Sequence, residues 1–254
     1  MRFDIMTLFP DMMNSIFNES IIGRARKNGI IEIECHNIRD YSENKHRKVD
    51  DTPYGGGMGM LMSAPPISNC FEHITEKLGK KPYTVYVSPK GRVLTHGVAK
   101  ELREKENLVI LCGHYEGVDQ RIIDEIVDDE ISLGDFVLTG GELAAAIIVD
   151  SVSRLVEGVL PDSECYEKES IANGLLEFPQ YTRPYEFHGV KVPDVLISGN
   201  HENIEKWRFE QSLELTRTRR PDLYEKLDME EKKKELKEYI ARACNGRDCN
   251  GKKE

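Results

Sequence analysis

The chain has 254 residues, 39% hydrophobic and 31% charged, so it is long enough for one large domain or two ordinary ones and too apolar for a disordered tail. With 35 Lys plus Arg against 45 Asp plus Glu it carries −10 at pH 7, which argues against a generic basic nucleic-acid binder but leaves room for a local basic patch. No apolar run nears the roughly 18–20 residues of a membrane span, and no cleavage pattern follows the N-terminal stretch, which carries Asp4 and Asp11.

In chain order, Phe3–Phe9 reads as a first strand, Ser15–Lys27 as a helix, and Ile30–Cys35 as a half-buried strand of alternating apolar and acidic residues. Ser42–Asp51 is too polar for a strand. Ala64–Leu78 and Gly97–Lys105 read as helices, Thr84–Val87 as a short strand, and the continuously apolar Leu108–Cys112 as a strand covered on both faces. Thr139-Gly-Gly-Glu142 opens a helix running to about Val156, with Thr139 and Glu142 at capping-box spacing. Its small midpoint, Ala144–Ala146, fits either close packing on the parent sheet or a subunit interface. Pro161–Ser170 reads as a linker. From Asn200 the pattern is helical, with Pro221 in a first turn and Glu230–Ala243 as a final charged helix, before a polar tail from Asn245. Alternating strands and helices predict an α/β sheet domain, and the composition shift near residues 160–170 predicts a second domain.

The most conspicuous stretch is Pro53–Met60, with glycines at 55, 56, 57 and 59. No Gly-Lys-Ser/Thr follows, so it is not a P-loop, and Met62 stands where the dinucleotide fingerprint needs its third glycine. Two readings fit its composition: a backbone that approaches a ligand closely, or a flexible surface loop. His46-Arg-Lys48 precedes it, as a solvated loop or a phosphate contact. Ser88–Gly91, Gly113–Gly117 and Ser132–Gly141 follow strand candidates, where open parallel sheets bind ligands. They form either one cradle or three ordinary turns. Glu116, Asp135, Arg154 and Glu169 supply charge near such a cradle, a set suited to proton removal with charge stabilisation. No nucleophile elbow or zinc-binding helix pattern is present. The histidines, such as His36 and His73, read as isolated and structural. The six cysteines are scattered without a C-x-x-C pair, pointing to free thiols in a reducing cytosol.

Together these motifs resemble one family, the bacterial tRNA (guanine-N1)-methyltransferases of the TrmD type in the SPOUT superfamily. The matching stretches begin at Leu8-Phe-Pro10 and Gly23-Arg-Ala25 and continue with Val49-Asp-Asp-x-Pro-Tyr-Gly-Gly-Gly57, Ser88-Pro-x-Gly-Arg92 and Cys112-Gly-x-Tyr-Glu-Gly-x-Asp119. Gly134-Asp-x-Val-Leu-x-Gly-Gly-Glu142, Asp150-Ser-Val-Ser-Arg154, Tyr181-Thr-Arg-Pro184, Leu196-x-Ser-Gly-Asn-His201 and Arg219-Arg-Pro221 complete them. The resemblance implies an α/β domain (1–160) with a deep trefoil knot, a flexible linker (161–171) and a small C-terminal helical tRNA-binding domain (172–254).

It also implies an S-adenosyl-L-methionine cradle of Tyr86, Ser88, Pro89, Gly113, Tyr115, Glu116, Leu133, Gly134, Asp135, Phe136, Val137, Leu138, Gly140 and Gly141. By the same resemblance, tRNA contacts fall on His46, Arg47, Asp50, Gly55, Gly56, Gly57 and Gly59. The implied reaction is methyl transfer to N1 of guanosine 37 of tRNA, preceded by guanosine, with Glu169 as base and Arg154 stabilising O6. The implied enzyme is a cytoplasmic homodimer whose sites the partner chain completes. At the base position the family pattern known best is Glu-Asp-Ser, and this chain departs from it with Lys168-Glu-Ser170. The resemblance suggests assistance by Mg²⁺, while no metal-ligand constellation is visible in the sequence. The competing readings are another SPOUT methyltransferase with a different RNA target, a non-catalytic RNA-binding module, and a nucleotide-binding enzyme using the Gly55–Gly59 loop.

Overall fold

The computed structural model describes residues 1–161 and 170–245, the last four of these by backbone alone. The chain divides into two compact units, Met1–Ser163 and Glu164–Glu254.

The first unit is a five-stranded parallel sheet flanked by helices. Its strands are β1 (Arg2–Thr7), β2 (Glu32–Asn37), β5 (Tyr83–Val93), β6 (Asn107–Leu111) and β7 (Asp129–Ser132), in the spatial order β2-β1-β6-β5-β7. The central strands β1 and β6 pair Phe3 with Leu108 and Ile5 with Ile110, all four residues fully buried. That is why Leu108–Leu111 reads as an unbroken apolar run: helices cover both faces, so no side chain of the strand needs to meet water. β2, at the edge, buries only Ile33 and His36 and leaves its other residues exposed or half-buried.

Helices α1 (Pro10–Phe17) and α2 (Ser20–Lys27) replace the single helix expected over Ser15–Lys27. The chain turns at Asn18–Glu19, and Ser20 takes φ 53°. A Cβ on Gly23 would lie 2.1 Å from the Asn18 carbonyl oxygen, so the corner requires glycine there. Helix α3 (Ala64–Leu78) matches its expected bounds. Prolines occupy its first turn, where their missing N–H costs nothing, and Gly79 ends it at φ 67°. Helices α4 (His96–Arg103) and α5 (Gln120–Ile126) make the crossovers from β5 to β6 and from β6 to β7.

Helix α6 (Glu142–Ser153) begins later than expected, and the Thr139–Glu142 capping box does not form. Gly141 is the N-cap, without a side-chain bond, and Glu142 instead accepts a buried hydrogen bond from Thr7 Oγ1 at 2.8 Å. Ala144 and Ala145 are buried within their own chain, while Leu143 and Ile147 are half exposed. The small residues therefore serve close packing on the parent domain.

At the foot of β1 and β2 lies an ionic cluster centred on buried Asp4 and His36. Arg2 donates to Asp4 at 2.8 Å and also bonds Glu32 and Glu34, while His36 Nε2 lies 2.8 Å from Asp4 Oδ1. His36 is therefore structural, as expected, but not isolated. Burial pushes the Asp4 carboxyl upward, yet the bonds from His36 and Arg2 outweigh it and hold it below its ordinary value.

In the second unit, a short hairpin of β8 (Glu186–Phe187) and β9 (Val190–Lys191) precedes helices α7 (His201–Arg219), α8 (Pro221–Tyr224) and α9 (Met229–Asn245). Asn200 caps α7 by accepting from the Asn203 N–H at 3.1 Å. Buried Thr216 accepts the Leu176 N–H through Oγ1 at 2.9 Å, tying the segment after Ser170 to that helix. Most of the 161–171 linker, Cys165 and the tail beyond Asn245 lie outside the described residues.

Candidate active site

The connection after β5 runs to β6, and the connection after β6 passes back beyond β5 to β7. The winding reverses there, so the loops at the carboxyl ends of these strands diverge and leave a crevice, the usual ligand position in open parallel sheets. A cavity of about 520 Å³ occupies it, within the size range of small-molecule sites.

Ser88–Gly91 is not a loop after a finished strand. β5 continues through it to Val93, and Ile131 of β7 pairs with both Val87 and Arg92, leaving 88–91 bulged out of the ladder. The bulge turns Ser88, Pro89 and Lys90 into the cavity wall. Gly91 allows it, because a Cβ there would sit 2.2 Å from the backbone of Glu130.

The loop after β6 passes through Gly113, His114, Tyr115, Glu116 and Gly117, all lining the cavity. Tyr115 takes φ 59°, a left-handed conformation that costs a bulky side chain about 1–3 kcal/mol and persists only where its surroundings enforce it. Its hydroxyl accepts from Arg39 Nη2 at 3.3 Å. The His114 ring lies edge-on between Phe9 and Tyr115, and its Nδ1 is buried with no hydrogen-bond partner among the described residues.

The loop after β7 brings Leu133, Phe136, Val137, Leu138, Gly140 and Gly141 to the same cavity. Gly134 and Asp135 belong to this loop but do not line it. Gly141 donates its N–H to the Gly113 carbonyl at 2.8 Å, and a Cβ there would meet Cys112 Cα at 2.8 Å. Two loops thus touch backbone to backbone, an approach that only glycine permits. Tyr86 closes the floor; burial, reinforced by the Glu130 carboxylate, raises its hydroxyl above the ordinary value, so it stays a neutral hydrogen-bonding group. Burial likewise pushes the Cys112 thiol far up and makes it inert.

The glycine-rich segment is the tip of a small antiparallel ladder that sequence polarity concealed: β3 (Asp50–Asp51) pairs with β4 (Leu61–Met62). Gly55, Gly56, Gly57 and Gly59 all have positive φ. Its root joins the cavity wall through Glu116 N–H to Met60 O at 3.0 Å and Met62 N–H to Gly117 O at 2.9 Å. His46 and Arg47 are exposed on the preceding segment, Arg47 paired with Asp40 at 2.9 Å. Arg154 follows the last turn of α6 and does not line the cavity of its own chain. Glu169 lies outside the described residues. Lys90 and His114, which no sequence motif singles out as site residues, also line the cavity, His114 between Gly113 and Tyr115.

Among the described residues one group offers three metal-ligand atoms, Asp4, Glu34 and His36. None of them lines the cavity, and Arg2 and Lys77 already bond their carboxylates. The cluster does not fit a magnesium site, because an arginine fills the place a cation would take.

A parallel α/β domain whose strand ends converge on one glycine-built cradle has room for a small organic ligand in close contact with its backbone. The sequence matches the family described as tRNA (Guanine-1)-methyltransferase TrmD over residues 1–226, and the chain belongs to that family. Among its relatives, the tRNA (guanine-N(1)-)-methyltransferase of Ruminiclostridium cellulolyticum is 57% identical over 227 residues, covering 89% of this chain and 97% of the relative. The proteins of the same name from Lachnospira eligens and Clostridioides difficile are 55% and 56% identical, over 89% of this chain and 95% and 98% of their own lengths.

Proposed function

We propose that this chain transfers a methyl group from S-adenosylmethionine to N1 of guanosine 37 in tRNA, beside the anticodon and preceded by guanosine, in the cytoplasm. The family match over residues 1–226 carries the reading. The cavity supports it in size and in a wall that joins apolar Leu133, Phe136, Val137 and Leu138 to the polar Ser88 and Glu116.

The donor supplies a methyl group on a sulfonium sulfur. The chain's first task is to align that methyl with N1, which the rigid glycine contacts between the loops serve. Guanine N1 carries a proton at neutral pH. Glu169 takes it as general base, the electron pair left on N1 forms the new bond to carbon, and the sulfur–carbon pair returns to sulfur. Negative charge builds on O6 as the proton leaves, and Arg154 stabilises it.

Arg154 does not reach the cavity of its own chain, which supports a homodimer in which it serves the partner's site. Helices α1 and α6 pack together and leave Met12, Ile16, Leu143 and Ile147 between 40 and 50% exposed, an apolar surface suited to that contact. On this reading the loops after β6 and β7 thread the family's trefoil knot. The proposal also assigns tRNA contacts to the 172–254 segment and, in the first unit, to His46, Arg47, Asp50 and the Gly55–Gly59 loop.

Incubation with donor and an unmodified tRNA transcript, followed by digestion and separation of nucleosides, should yield 1-methylguanosine. Glu169→Gln should abolish that product while donor affinity, measured by calorimetry, stays within a few-fold. Full turnover by Glu169→Gln would remove the base assignment.

A further inference from the structure

Tyr54 and Met58 stand at the tip of the β3–β4 ladder, 100% and 94% exposed. Neither finds an apolar partner among the described residues, although the ladder itself is firmly rooted. Its lower end is cavity wall: Leu61 and Glu116 both line the cavity, and Glu116 Cγ lies 2.3 Å from where a Cβ of Gly59 would stand. Four positive-φ glycines between and beside the two residues leave the backbone free to adjust. The fold thus holds an aromatic ring and a thioether beside the reaction cavity and gives them nothing to pack on.

The charges at the root of the loop narrow the occupant. Arg47 is paired with Asp40 at 2.9 Å and Lys48 with Asp51 at 3.1 Å, so these cations are already answered by carboxylates. What the tip offers is a π-face and a polarizable sulfur, which suit a planar aromatic ring. If N1 of a guanine is to reach the cavity, that base must leave its stack, and its departure bares the face of a neighbouring base. An exposed tyrosine beside the cavity restores the lost stacking.

We propose that Tyr54, backed by Met58, is the stacking platform for a nucleobase adjacent to the target guanosine. The loop then grips RNA by ring stacking, with hydrogen bonds to base edges left to other residues. This inference rests on the tRNA methyltransferase reading above and names a residue and a contact within it.

The test uses the full chain with Tyr54→Ala, Tyr54→Phe and Tyr54→Trp, and anticodon stem–loop RNAs carrying 2-aminopurine immediately 5′ or 3′ of the target. Stacking quenches 2-aminopurine, so the wild type should dim the probe at one of the two positions and Tyr54→Ala should not. KM for tRNA should rise roughly 10-fold in Tyr54→Ala, more than kcat falls, and return to near wild type with Phe or Trp. Donor affinity and melting temperature should hold in all three, because the side chain packs on nothing. Quenching that persists in Tyr54→Ala, or an equal KM defect in Tyr54→Phe, would overturn the proposal. So would a weaker dimer of Tyr54→Ala by sedimentation, which would make the tip a contact between copies. If the wild type methylates no tRNA, the functional reading fails by itself, while the quenching experiment still decides the stacking contact.

Discussion

Asp4 shows how much a single side chain can depend on its neighbours. It is fully buried, and its charge is tolerable only because Arg2 and His36 bond it from two sides. Its folded-state pKa is lowered, so its contribution to stability is complete above the ordinary value near 3.8 and is lost as the pH falls through the lower folded value. Asp4→Asn should therefore cost about 3 kcal/mol at pH 7, by leaving Arg2 and His36 against a neutral amide. Urea unfolding at pH 7 and at pH 3 should show the gap to wild type narrowing in acid; an unchanged gap would mean that the carboxylate's charge is not what the site uses. Nothing in the order Arg-Phe-Asp-Ile announced this cluster, because His36 meets Asp4 only once β1 and β2 pair. The glycines were more legible. Gly113, Gly140 and Gly141 stood out as a pattern, and the structure supplies the reason: a Cβ on any of them would meet a neighbouring loop or side chain at 2.9 Å or less.

Between elements, the decisive contact is where the loop after β7 meets the loop after β6. A Cβ on Gly141 would lie 2.6 Å from the Val87 side chain and 2.8 and 2.9 Å from the backbone atoms Cys112 Cα and Gly113 N. Gly141→Ala should lower stability by about 1–3 kcal/mol, the usual cost of overpacking, and weaken the donor at least about tenfold. Calorimetric titration of S-adenosylmethionine beside a urea curve would check both, and wild-type donor affinity would show that this contact does not shape the cradle. Apolar pattern sufficed to find β6 and α3, whose burial is uniform or one-sided. It failed where a side chain or a bulge overrode local rules. The Thr139–Glu142 spacing promised a capping box, but Thr7, distant in sequence, took the glutamate. Ser88-Pro-Lys-Gly read as a turn, although β5 runs on through it as a bulge. Asp50–Asp51 looked too polar to pair, yet two residues suffice to close the ladder that carries the glycine loop.

For the whole molecule, the proposed function requires residues that do not meet in one chain to form one site. Arg154 lies off the cavity, and the apolar faces of α1 and α6 face outward. The proposed two-fold dimer would resolve both by giving each cavity the partner's arginine. Mixed dimers test this directly. Assayed at donor concentrations well below the weakened affinity, Arg154→Ala and Gly141→Ala chains should each be nearly inactive alone, but an exchanged equimolar mixture should recover about a quarter of wild-type activity, because each heterodimer rebuilds one undamaged site. No recovery after verified subunit exchange would place Arg154 in its own chain's site or outside catalysis. None of this was visible in composition: the net charge of −10 argues only against a generic basic nucleic-acid binder, and the family motifs alone point to tRNA.

The most direct test of the central claim uses labelled S-adenosylmethionine and two unmodified tRNA transcripts with guanosine at position 36, one carrying guanosine and the other adenosine at position 37. A methyl on N1 blocks the pairing edge of guanine, so it halts reverse transcription one nucleotide to its 3′ side. The account predicts label and a stop at position 38, just 3′ of guanosine 37, in the guanosine transcript alone. Label in both transcripts, a stop elsewhere, or no transfer from a donor that the chain demonstrably binds would contradict it.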